Sequence, residues 1–179
     1  MTYTAPNTVA AGETYSAASH NVIVNDVIDH EARLLAQAAQ IKYIATVTQT
    51  SSYTITATSV GAAADVFSSD LTFTAVSGKL YRFEISSSAV LASSANNSYG
   101  IHLVNGAGTA LTQIALFRNA GAAQWAPLCS VFLYEAGSGS VSFNLRATKE
   151  GGNDGSFDAG TGSSGTVIPI RMTVYGPLD

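Results

Sequence analysis

Hydrophobic and polar positions follow two rhythms along the chain. From Ser16 to about Ile41 there is neither Gly nor Pro, and Val24, Val27, Ile28, Leu34, Leu35, Ala38 and Ile41 fall on one stripe of helical period. The spacing predicts a single amphipathic helix. Ser16 or Ser19 can accept hydrogen bonds from the first turn, and Asp26 and Asp29 put negative charge in the N-terminal half, where the helix dipole favours it. Alternating steps of three and four through Val24, Val27, Glu31, Leu34, Ala38 and Ile41 form a short heptad-like seam. Such a stripe can pack on its own domain, gather with the same helix of other chains, or dock in a partner's groove. Residues 1 to about 15, rich in Thr, Ala, Pro and Gly, read as an extended leader.

After Ile41 the period changes to two, and turn residues arrive about every ten positions, the rhythm of an antiparallel sandwich. Tyr43–Thr48 and Tyr53–Val60 are β-branched runs. Leu71, Phe73 and Ala75 alternate with Thr, and Tyr81, Phe83 and Ile85 alternate with charge, so Ser77-Gly78 predicts a hairpin. Tyr99–Val104 and Ala110–Phe117 flank Asn105-Gly106, a pair suited to the positive φ of tight turns. Cys129–Glu135 and Val141–Ala147 predict a third hairpin across Gly137-Ser138-Gly139. A last strand covers Thr166–Tyr175, with Pro169 demanding an edge or a bulge. The expected fold is mainly β: an antiparallel jelly-roll-like β-sandwich of about eight to nine strands preceded by one N-terminal amphipathic helix. Two regions are expected: 1–41, an extended leader and amphipathic helix, and 42–179, the sandwich.

Composition narrows the function. Charged residues are 11% of the 179, against roughly 25% in an average soluble domain, and the net charge is −4. A phosphate-backbone binder needs a concentrated basic face, so nucleic acid is not expected as a partner. Polarity comes mainly from Ser and Thr hydroxyls, as suits a protein held permanently in an assembly. No run of about 18 apolar residues predicts membrane insertion, and Met1-Thr2-Tyr3-Thr4-Ala5-Pro6 has no signal-peptide character, so synthesis in the cytoplasm is expected. The lone Cys129 excludes a disulfide within the chain; alternating with Val131 and Leu133, it reads as a core thiol.

Catalytic constellations are not evident. The carboxylates are scattered, no second His follows Glu31 at zinc-helix spacing, and no Gly-x-Ser-x-Gly elbow joins a strand to a helix. No enzyme activity, cofactor or metal is expected. His102, between Ile101 and Leu103, reads as facing solvent or an interface. The stretch Gly151–Gly160 offers oxygen ligands at spacings that fit no EF-hand and reads as a mobile connection between the last two strands. Asn96, Asn97, Trp125, Asn153, Asp154 and Phe157 are the candidate exposed-loop contacts, with Trp125 equally able to plug the end of the sandwich.

The segment Ala11–Asp26, through Gly12, Ser16, Ala17, Asn21 and Asp26, resembles the N-terminal segment recurrent in structural proteins of tailed bacteriophages. The body is similar to their β-sandwich in Ala75-Val76-Ser77-Gly78-Lys79-Leu80-Tyr81, in Ala136-Gly137 before a strand, and in the closing Val174-Tyr175-Gly176-Pro177. The resemblance implies a virion component, a head decoration or head-fibre protein or a minor tail or tail-fibre protein. It implies a homotrimer attached to major capsid or tail proteins through its N-terminal segment, with the sandwich facing outward. The attachment and oligomer contacts expected are then Ile23, Val24, Val27, Ile28, Leu34 and Leu35. A host surface glycan is a further candidate partner. The alternative reading is a lectin-like, carbohydrate-binding jelly-roll module acting in host receptor recognition.

Overall fold

The computed structural model describes residues 25, 27–32, 42–92, 97–119, 124–163 and 167–178. The chain divides into two units, Met1–Gln40 and Ile41–Asp179. In the first, residues 27–32 are helical and exposed, in the middle of the predicted helix. Val27 and Ile28 keep 51% and 58% of their surface open to solvent. Ile23, Val24, Leu34 and Leu35, and both predicted ends of the helix, lie outside the described residues.

Among the described residues the second unit contains ten strands: β1 (Tyr43–Gln49), β2 (Tyr53–Ile55), β3 (Leu71–Ala75), β4 (Leu80–Ala92), β5 (Asn97–Asn105), β6 (Ala110–Asn119), β7 (Gln124–Glu135), β8 (Gly139–Gly151), β9 (Gly155–Asp158) and β10 (Ile170–Leu178). All pairings are antiparallel. One sheet runs β1-β10-β4 with β7 on the far side of β4, and the other runs β3-β8-β5-β6. With β2 and β9 set aside as additions along the end of β4, this is jelly-roll order, two interleaved Greek keys. The expected architecture is therefore present.

Alternation builds the core. Leu71, Phe73 and Ala75 of β3 and Ile170, Met172 and Val174 of β10 turn inward, with Thr72 and Thr74 outward. Facing rows interdigitate in an aromatic cluster of Phe73, Tyr81, Phe83, Phe132, Tyr134 and Phe143.

Two of the three predicted hairpins are instead crossovers between sheets. β3 pairs with β8, and β4 with β10 and β7, so the Ser77-Gly78 turn carries the chain across the sandwich. The Phe73 and Tyr81 rings, with centroids 5.0 Å apart and planes tilted by 52°, meet across the core rather than side by side on one sheet. Likewise β7 and β8 belong to opposite sheets, with Tyr134 and Phe143 edge to face at 6.1 Å. Only the β5–β6 hairpin pairs as predicted.

Other expectations are corrected. The second β-branched run is strand only over Tyr53–Ile55, and a 3-10 turn follows at Val60–Ala62. Pro169 lies just before β10, so this interior strand needs no gap in its ladder there. Cys129 is exposed, because Leu128 takes the inward position and the odd residues from 127 to 135 face out. The glycine-rich connection holds β9, which pairs with both β2 and β4.

Candidate functional site

Chemistry-bearing side chains gather on the outer face of the four-stranded sheet, where β5 and β8 run side by side. Inward residues Ile101, Leu103, Leu145 and Ala147 fill the core, which forces His102, Arg146, Thr148 and Glu150 outward. A wall over this face comes from the segment between β2 and β3. Val66 N–H donates to the Leu145 carbonyl at 2.8 Å, and Lys149 N–H to the Ala57 carbonyl at 2.8 Å.

Arg146 holds the wall in place. Its Nε donates to Asp65 Oδ1 at 2.7 Å, and Nη1 donates to the Val60 and Gly108 carbonyls at 3.1 and 3.2 Å. The guanidinium lies where a side chain on residue 108 would stand, and Gly108 has φ +76°, so glycine is required twice over. Asn144 makes a second clamp beneath. Its amide is buried and bonded on both sides, to Phe67 N–H, Leu145 N–H, the Phe67 carbonyl and Asp70 Oδ1.

Beside Arg146 the wall and the sheet border an open polar recess of about 350 Å³, lined by Thr58, Ser59, Val60, His102, Thr148 and Glu150. Next to it on β5 is the buried Gly100. Glu150 Oε1, His102 Nε2 and Gln113 Nε2 lie 2.6, 2.8 and 3.0 Å from the point where a Cβ on that residue would sit. Thr148 Oγ1 contacts His102 Nε2 at 3.0 Å, and Gln113 Nε2 donates to Glu150 Oε1 at a long 3.4 Å. Burial pulls the His102 pKa below its ordinary 6.5, and the Glu150 charge opposes this. The imidazole is neutral at neutral pH, a donor at one nitrogen and an acceptor at the other.

That shift has a measurable consequence. A group whose pKa is depressed by folding binds its proton better unfolded, so its stability contribution, whole above pH 6.5, is lost as pH falls through the folded value. His102→Gln should therefore reduce the drop in melting temperature between about pH 7 and about pH 5. Equal drops in both proteins would contradict the assignment.

No known relative decides what the recess does. No family model and no curated protein matches the chain. Among solved structures, the N-terminal endo-1,4-beta-D-xylanase 10B modules of Clostridium thermocellum complexed with xylohexaose are 12% identical, covering 78% of this chain and 28% of that one, at a TM-score of 0.33. The icosahedral particle of infectious bursal disease virus gives 12% identity, 78% and 36% coverage and a TM-score of 0.31. The VP2 subviral particle of the same virus gives 14% identity, 75% and 37% coverage and a TM-score of 0.27. This chain spans about a third of the length of those proteins.

The sequence-predicted contacts do not form one site. Asn97 and Phe157, expected in exposed loops, are buried in β5 and β9. Asn97 Oδ1 accepts the Asn153 N–H at 2.9 Å and so holds the turn ahead of β9. Phe157 occupies the inward alternation of its strand. Asn153 and Asp154 are exposed as expected, with Asp154 Oδ1 on Lys149 Nζ at 2.7 Å. Trp125 lies in β7, its side chain outside the description, and Asn96 is not described. Gln113, Thr148 and Glu150 were not singled out from the sequence. The available signal was period-two alternation through His102 and Glu150, but the wall over them is made by register.

Elsewhere, the outer face of β7 is apolar. Cys129, Val131 and Leu133 alternate outward, with Val131 and Leu133 at 54% and 55% exposure. Among the described residues β7 pairs only with β4, so this stripe borders an open strand edge.

Proposed function

We propose that the chain is a non-enzymatic structural subunit of a tailed-phage virion, displayed on the particle as a head decoration or head-fibre protein or a minor tail or tail-fibre protein. It associates as a homotrimer and docks on major capsid or tail proteins through residues 1–41, leaving the sandwich outward. The observation that carries the reading is the exposure of adjacent Val27 and Ile28 on a helical turn. Two large apolar side chains of an amphipathic helix open to water favour cover by another polypeptide. The resemblance of Ala11–Asp26 to phage attachment segments, and the apolar stripe beside the β7 edge, support the same reading.

The described buried core of the second unit runs from Val47 to Val174. The double substitution Val27→Asp with Ile28→Asp should therefore leave the melting temperature almost unchanged. It should abolish incorporation into particles and reduce the oligomer to a monomer in native mass spectrometry. Truncation to residues 42–179 should do the same. Normal occupancy of particles by either variant would overturn the docking role.

A further inference from the structure

We infer that the recess lined by His102, Thr148 and Glu150 is a saccharide-binding site, which takes one vicinal diol of a pyranose ring on Glu150 and His102, with Gln113 beside Glu150. The inference stands apart from the virion reading and holds whether or not the chain is part of a particle. Its first ground is convergence. Three polar atoms from three adjacent strands, Gln113 Nε2, His102 Nε2 and Glu150 Oε1, come within 3.0 Å of one point above a glycine. Gly100 is what lets the three side chains close up beside the recess, since a Cβ there would collide with all of them.

The second ground is unused bonding capacity. Among the described residues, the only hydrogen bond to the Glu150 carboxylate is the 3.4 Å contact from Gln113. A carboxylate accepts at about four lone-pair sites, so both hydroxyls of a diol can donate to it. The Gln113 amide then donates to one of the same hydroxyl oxygens. The neutral His102 ring, steadied by Thr148, meets the other, and the Ser59 and Thr58 hydroxyls on the wall can either donate or accept.

The third ground is what the recess lacks for other ligands. Glu150 is the only ionised group in its lining, because the neighbouring guanidinium of Arg146 is committed to Asp65 and two carbonyls, so an anion meets repulsion. A transition-metal ion finds two strong donors, His102 and Glu150, where a stable site needs three or four. A flat aromatic ligand finds no Phe, Tyr or Trp ring in the lining to stack on. A neutral polyol, carrying donors and acceptors on adjacent carbons, matches the mixed lining. Without a stacking ring its affinity is about millimolar.

The test is a titration of the full chain, labelled with nitrogen-15, with methyl α-D-mannopyranoside, methyl α-D-galactopyranoside and methyl α-D-glucopyranoside, followed by amide chemical shifts, with cyclohexanol as the control lacking a diol. At least one glycoside should produce saturable shifts centred on Gly100, His102, Gln113 and Glu150. Cyclohexanol should not. Glu150→Gln, at an exposed position, and Gln113→Glu, which sets a second carboxylate against the first, should each weaken binding about tenfold or more. Either variant that retains the native spectrum suffices for the comparison. The assignment is overturned if none of the glycosides gives a saturable shift, if the shifts centre elsewhere, if the folded variants bind as tightly as the parent, or if binding appears only with added calcium or zinc.

Discussion

Replacing Phe83 by alanine should lower unfolding stability by about 3–5 kcal/mol and the melting temperature by about 10 °C. Phe83 is fully buried on β4 and lies among four other rings. Phe132 stacks on it at 5.4 Å within its own sheet, and Phe143 meets it edge to face at 5.2 Å from the opposite sheet. Phe73 and Tyr134 are each 6.4 Å away. Removing the ring therefore leaves a cavity where both sheets meet, walled by side chains that cannot all collapse into it. Phe83→Leu, which keeps most of the volume, should cost less than about 2 kcal/mol. The internal reference is Val131→Ala, on the outward face of the β7 edge, with an expected change within about 0.5 kcal/mol. Urea unfolding of the three variants decides the matter, and a Phe83→Ala midpoint no lower than that of Val131→Ala would refute the role given to the cluster.

A comparable loss is expected at a polar position. Asn144→Ala should destabilise the protein by about 3 kcal/mol, because it strips partners from the Phe67 N–H, the Leu145 N–H and the Phe67 carbonyl, which sit on buried residues. The damage should be local first. Hydrogen exchange of amides 65–70 should accelerate more than that of the aromatic cluster, since Asn144 fastens this segment to β8. Asn144→Asp adds a pH signature. Its carboxylate would face the Phe67 carbonyl and Asp70 Oδ1, groups to which the amide nitrogen now donates at 3.1 and 2.9 Å. That variant should be weakest at neutral pH and recover as pH falls and the new acid takes up its proton. Identical pH profiles for the Asp and Ala variants would show that Asn144 is not the clamp described.

These two positions mark how far local pattern reaches. Phe83 is legible from sequence as an inward residue, because it alternates with Arg82 and Glu84. Its partners are not, since Phe132 arrives through the pairing of β7 with β4 and Phe143 from the opposite sheet, both across long stretches of chain. Asn144 carries no local signal at all. A single Asn in a strand reads as neutral, and only the 77-residue separation closed by its bond to Phe67 makes it structural. The crossovers mistaken for hairpins have the same origin. A tight turn between two alternating strands leaves identical sequence patterns whether the strands pair edge to edge or face each other through the core, because both arrangements bury the same residues.

The sequence by itself determined the mainly β character, the inward rows of β3, β4 and β10 and the β5–β6 hairpin, since each depends on periodicity within a few residues. Tertiary structure alone decided the jelly-roll order, the burial of Asn97 and Phe157, the outward turn of Cys129, and the meeting of His102, Gln113 and Glu150 over Gly100. The reason is that register and sheet order arise from contacts summed over the whole core, and they determine which outward-facing side chains become neighbours.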